Sequence, residues 1–153
     1  GRVIYPHLKE MLDDARSEGV YMFIRSGYRS YASQESVLNS FINKYRNRGY
    51  SYEEARRLAL QTASLPGCSE LQSGLAVDIN ATGGTSSYTA YAWLAKNAYK
   101  YGFILRYPSG KESITGIEYE PWHYRYVGRY HAKKIHDAGL CLEEYIMRRE
   151  SGN

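Results

Sequence analysis

No stretch of this 153-residue chain approaches the ~20 consecutive apolar residues that a membrane-spanning helix requires. Cysteine is almost absent. Cys68 and Cys141 stand far apart, so no disulfide framework or cysteine-rich metal cluster organises the chain. The two could pair in an oxidising compartment, but their spacing does not establish it. Four prolines and no biased tract exclude a fibrous or low-complexity protein. Charge of one sign is not concentrated either: 20 Lys and Arg against 16 Asp and Glu leave a net +4. Small clusters occur at Arg46, Arg48, Arg56 and Arg57, and at Lys133 and Lys134. That balance suits anionic surroundings, but no recognition motif accompanies it, and no nucleic-acid partner is expected. Phenylalanine is scarce at three, whereas tyrosine reaches 17. Tyrosine joins an apolar ring to a polar tip, which suits half-buried walls and wet grooves.

What remains is the composition of one soluble globular domain, taken as residues 1–153. The start at Gly1, close to a helix, leads to the expectation of a domain excised from a longer exported or anchored protein. Leu8, Met11, Leu12 and Ala15 recur at helical spacing, with Gly19 as the stop. Val20 to Arg25 alternates as a strand and delivers the loop Ser26-Gly27-Tyr28-Arg29-Ser30. Val37, Leu38, Phe41 and Ile42 mark a second helix, ended by Gly49. Ser51 and Glu54 form a capping box for a third helix that runs through Thr62 and is closed by Pro66-Gly67. Tyr91, Leu94, Ala95 and Ala98 mark a fourth, stopped by Gly102. A strand over 103–106, another over Ile117 to Val127, and helices near 129–138 and 141–149 follow. Helices and strands mingle without βαβ alternation, which predicts an α+β fold with a small, mostly antiparallel sheet flanked by helices.

The chemistry concentrates in two stretches. Ser69 to Asp78 reads as a polar loop entering a strand whose Leu75, Val77 and Ile79 share one face and Ala76, Asp78 and Asn80 the other. Glu120-Pro121-Trp122-His123 offers a carboxylate and an imidazole three apart. A regular strand would point these to opposite faces, but Pro121 marks an edge, bend or bulge that could aim both into one pocket. Taken singly, Asp78 could be a strand-end carboxylate, His123 a core histidine and Glu120 a partner for an arginine. Arg29 could be a solvated loop residue, Ser69 a turn serine and Trp122 core.

Together, Ser69, Gly74, Ala76 and Asp78, then Glu120 and His123, then Ser26-Gly27-Tyr28-Arg29 upstream, resemble the zinc D,D-carboxypeptidases of the vancomycin-resistance type. L,D-carboxypeptidase relatives share the pattern, and the resemblance covers roughly residues 4–146. It implies the D-Ala-D-Ala carboxypeptidase/hedgehog-like fold and removal of a terminal D-alanine from a peptidoglycan stem peptide. It further implies Asp78 and His123 as metal ligands, Glu120 as the catalytic base, and Arg29 at the scissile carbonyl or the substrate carboxylate. Ser69 would help hold that carboxylate, and Trp122 would wall the pocket. The implied location is the extracellular face or cell wall of a bacterium, reached through an upstream export signal or anchor. One position departs: Leu71 stands where the family places its first zinc-binding histidine. A catalytic zinc usually keeps three protein ligands, so zinc is expected to bind this chain weakly or not at all. Cys68 is the substitute ligand in principle. A module that binds the stem peptide without cleaving it, and an inactivated variant of an active enzyme, are the alternatives. His7, His131 and His136 match no family position and read as surface or structural.

Overall fold

The computed structural model describes residues 2–152. Its centre is a four-stranded antiparallel sheet in the order β1-β2-β4-β3, formed by Met22–Ser26, Ala76–Ala81, Phe103–Leu105 and His123–Tyr126, numbered along the chain. The expected α+β class is thus observed, and every strand pair is antiparallel. Helix α1 (Tyr5–Ser17) carries a proline in its first turn, where a missing N–H costs nothing, and buries Leu8, Met11 and Ala15. Helix α4 (Ser87–Asn97) starts at Ser86, whose hydroxyl accepts from the Thr89 N–H, and buries Ala90, Trp93 and Leu94. These two helices cover one face of the sheet and form the main core with Val77, Ile79, Phe103 and Tyr124. Strand alternation then sends the residues between, Asp78 and His123, to the opposite face.

Over that opposite face lies α2 (Tyr31–Arg46), whose Gln34, Val37 and Phe41 border the same cleft as Asp78 and His123, and α3 (Tyr52–Ala59) packs on α2 through Leu38, Ile42, Ala55 and Ala59. Helices α6 (Arg129–Ala138) and α7 (Leu142–Glu150) close the far end, where Ala132 and Ile135 meet Ile104. The one-turn α5 (Glu112–Thr115) lies between β3 and β4.

Several boundaries differ from the sequence expectation. The strand expected over 117–127 is confined to His123–Tyr126. Pro121 has no N–H to give a ladder, and the His123 N–H instead closes a turn on the Glu120 carbonyl at 3.1 Å. Helix α3 ends at Ala59 rather than at Thr62, because the chain tightens into i→i+3 bonds from Gln61 to Leu58 and from Thr62 to Ala59. Half of the expected capping box forms: Ser51 accepts from the Glu54 N–H, but the Glu54 carboxylate turns away to Arg57. A full box occurs at α7, where Glu144 accepts from the Cys141 N–H. Cys68 is exposed, Cys141 is buried, and both are free.

Gly102 ends the fourth helical segment as expected, at φ +91, and its carbonyl accepts from Val127. A Cβ there would sit 2.6 Å from the Tyr126 ring and 3.1 Å from the Gly128 backbone. Left-handed strain and this clash act together, so Gly102→Ala should cost about 2 kcal/mol or more in urea unfolding. An unchanged midpoint would show that the β3–β4 packing is looser than described.

Candidate active site

The sheet face opposite the core opens into a cleft of about 310 Å³. Asp78, Glu120 and His123 line it together with Arg29, Ser69, Leu71 and Trp122, so every site residue expected from the sequence borders one cavity. Cys68 is not among its lining residues. His7 and His136 stack on Tyr126 and Tyr99, and His131 is hydrogen-bonded to the Tyr145 hydroxyl.

β2 and β4 set the centre. Asp78 and His123 are directly opposed in register, and Nδ1 of His123 lies 2.8 Å from Oδ1 of Asp78. Glu120 reaches the same nitrogen from the turn before β4, with Oε2 at 3.8 Å. The turn is held by the Glu120 N–H on the Tyr107 carbonyl and by the Trp122 carbonyl accepting from Ile79. Tyr107 also stacks on the imidazole at 5.0 Å between ring centres.

The other face of the imidazole shows a residue that sequence reasoning missed. Nε2 of His123 lies 3.3 Å from Oε2 of Glu70. Glu70 opens the 3-10 turn Glu70–Ser73, a segment the sequence suggested was plain loop. Its other oxygen accepts from Arg106 Nε at 2.6 Å and from Arg125 Nη1 at 3.0 Å. Arg106 in turn forms a two-pronged pair with Glu143 of α7. The available signal was an acidic residue inside the Ser69–Asp78 stretch, but nothing in the spacing says that it turns inward. Gln34 was missed as well. Buried, it accepts from Arg29 Nη1 at 2.9 Å and donates to the Ser64 carbonyl at 2.7 Å, which fixes the guanidinium at the cleft. The Ser69 side chain makes no cap to the turn behind it.

Burial and neighbours spread the proton affinities apart. Burial raises Glu120 to about 7; Asp78 and Glu118 add to it, while His123 and Arg29 pull the other way. Burial works against a charged His123, but the hydrogen bonds it donates to Asp78 and Glu70 outweigh it and raise the imidazole to about 9. For Glu70, burial is overcome by His123, Arg106 and Arg125, which hold it at about 2.

The family described as "VanY: D-alanyl-D-alanine carboxypeptidase" matches residues 2–129. The chain belongs to this family. It is 46% identical over 144 residues to a D-alanyl-D-alanine carboxypeptidase of Enterococcus faecalis, covering 94% of this chain and 54% of that protein. Among solved structures it is similar to VanYB in complex with D-alanine-D-alanine (TM-score 0.91, 46% identity, 94% of this chain and 80% of that one). It is likewise similar to a mutant of the vancomycin-resistance D,D-pentapeptidase VanY in complex with Zn(II) (TM-score 0.90, 46% identity, 94% and 81%). The chain spans about half the length of the curated relatives it matches first, or less.

Zinc therefore belongs to the family, and the donor set here can be tested against it. Asp78 and His123 are hydrogen-bonded to one another, and Leu71, buried at 3% exposure in the cleft wall, has no donor atom to offer. Among the described residues no group of three His, Cys, Asp or Glu side chains is placed to hold a metal ion. The residues present do not fit a three-ligand catalytic zinc site.

Two predictions follow from this geometry. The unmodified chain should purify with little zinc, whereas Leu71→His should hold it stoichiometrically by elemental analysis; adding Glu70→Gln should then weaken binding about tenfold or more. Tight zinc in the unmodified chain would contradict the donor count. The second concerns pH. His123, raised in the folded state, gives stability that is full below its ordinary value and is lost as pH rises through about 9. Glu120, a carboxyl raised by burial, loses stability in the same direction as pH passes about 7, while Glu70 loses its share only as pH falls toward about 2. Urea unfolding of the metal-free chain should therefore be most difficult near about pH 5 and lose several kcal/mol by about pH 9.5. A flat profile across that window would mean that the three groups are not coupled as placed.

Proposed function

We propose that this chain is the peptidase domain of a D-alanyl-D-alanine carboxypeptidase that recognises a peptidoglycan stem peptide by its terminal D-alanine, at the bacterial cell wall. The single observation that carries this is the gathering of Arg29, Ser69, Glu120, Asp78 and His123 on one cleft. An export signal or anchor elsewhere in the protein would bring the domain to its substrate. The similarity to a protein solved with D-alanine-D-alanine favours the D,D bond over the L,D bond.

Arg29, braced by Gln34, presents a fixed guanidinium suited to a carboxylate, and the Ser69 hydroxyl lies on the same cleft. Glu120, raised to about 7, is poised to accept and return a proton near neutral pH. In the family's chemistry a zinc-bound water supplies that proton. In this chain Leu71 occupies the position of the first zinc-binding histidine.

That substitution favours a second reading for the chain as it stands: a cleft that binds the stem peptide and cleaves it poorly. The residues assigned to holding substrate do not need the absent ligand, whereas the hydrolytic step does. A peptide ending in D-alanyl-D-alanine should bind both the unmodified chain and Leu71→His in calorimetry. Release of D-alanine should stay near background in the first and rise at least about a hundredfold in the second. Comparable turnover in both would remove the binding-module reading; no binding by either would remove the substrate.

A further inference from the structure

We infer that Arg25 is a specificity-determining residue that reads a free carboxylate on the stem peptide, upstream of its terminal D-alanine; this rests on the stem-peptide reading above. The first observation is a break in β1. Ile24 pairs with Ile79 and Ser26 with Asp78, so two steps on β1 meet one step on β2, and Arg25 is the extra residue. On a regular strand, neighbours point to opposite faces. Here Arg25 and Ser26 both line the cleft, the re-aiming that a bulge produces. β1 is an edge strand, so the bulged side chain stands at an open margin of the cleft.

The second observation is that this guanidinium is unspent. Arg106 and Arg125 are taken up by Glu70 and Glu143, and Arg29 is braced by Gln34. Arg25 is exposed and makes no ion pair among the described residues.

Distance then selects the part of the substrate. Four backbone steps separate the Cα atoms of Arg25 and Arg29, at most ~13 Å when extended. With Arg29 on the terminal carboxylate, an extended peptide places its residues two or three positions upstream within reach of Arg25. A carboxylate there would meet a fork-shaped donor with no competing partner. The carboxylate has two possible sources, the side chain of the third stem residue and the free carboxyl of an isoglutamate at the second.

The test is a calorimetric titration of the unmodified chain and of Arg25→Gln with four pentapeptides ending in D-alanyl-D-alanine. They carry diaminopimelate or lysine at the third position and isoglutamate or isoglutamine at the second. Diaminopimelate differs from lysine by one carboxylate on the side chain. The unmodified chain should prefer a carboxylate-bearing peptide by about tenfold, and the arm that shows the preference identifies its source. Arg25→Gln should erase the preference while leaving the affinity for the lysine–isoglutamine peptide unchanged. Equal binding of all four peptides, or a preference that survives Arg25→Gln, overturns the inference and leaves the terminal D-alanine reading standing. Failure of every peptide to bind the unmodified chain overturns both.

Discussion

One carboxylate, that of Glu70, ties the cleft together. It sits on the turn before β2, yet it receives His123 and Arg125 from β4 and Arg106 from the end of β3. Arg106 carries the tie on to Glu143 of α7. Taking such charges out of water costs several kcal/mol per ion, and only near-complete pairing offsets it. Here each oxygen of Glu70 has a partner, and Arg106 is bridged on both sides. The network adds little net stability by itself, but removing one member would strand the others at a cost of about 3–5 kcal/mol. Its effect is on position. With Nε2 on Glu70 and Nδ1 on Asp78, both nitrogens of the His123 ring are engaged and its orientation is fixed.

This explains how the cleft persists beside Leu71. In a metal site the ligands converge on an ion that neutralises them. In this chain the carboxylates of Glu70 and Asp78 lie on either side of an imidazole held above its usual proton affinity, and two guanidiniums balance the remainder. Glu120, the third acid, lowers the local charge by holding its proton more tightly. These polar groups satisfy one another, and the pocket needs no further partner to hold its shape.

Sequence reasoning reached the α+β class, the core face of β2 and the convergence of the cleft residues, because each rests on local periodicity or on spaced motifs. Helical stripes such as Leu8-Met11-Ala15 and the alternation through Val77 and Ile79 are set by which side faces the core. It failed where a tertiary partner decides. Glu70 turns inward because Arg106 and Arg125 wait there, and neither is near it in sequence. Glu54 leaves its capping box for an arginine three residues on, whereas Glu144 completes one at Cys141, a residue with weak capping preference. The strand before His123 is shortened by Pro121 and the turn it anchors, a distortion visible as a possibility but not in extent. The Arg25 bulge left no sequence signal, since register belongs to the pair of strands and not to either alone.

Position 71 combines two tasks that the structure separates. Its carbonyl accepts the Arg29 N–H at 3.1 Å and the Gly74 N–H at 3.4 Å, joining the arginine loop to the turn that leads into β2. Those bonds belong to the backbone and survive any side chain that the turn tolerates. The side chain alone decides whether a ligand faces Asp78 and His123. Leucine offers no donor atom to Asp78 and His123 but leaves the backbone bonds of the loop in place, and its buried apolar side chain packs where a polar one would need a partner. The Arg29 side chain does not depend on that choice: its guanidinium is braced by Gln34, and Gln34 by the Ser64 carbonyl beyond α3. Arg29 and the Asp78–Glu120–His123 group thus border one cleft but hang from different parts of the frame, so a side-chain change at position 71 can alter what faces the second while the first keeps its bracing.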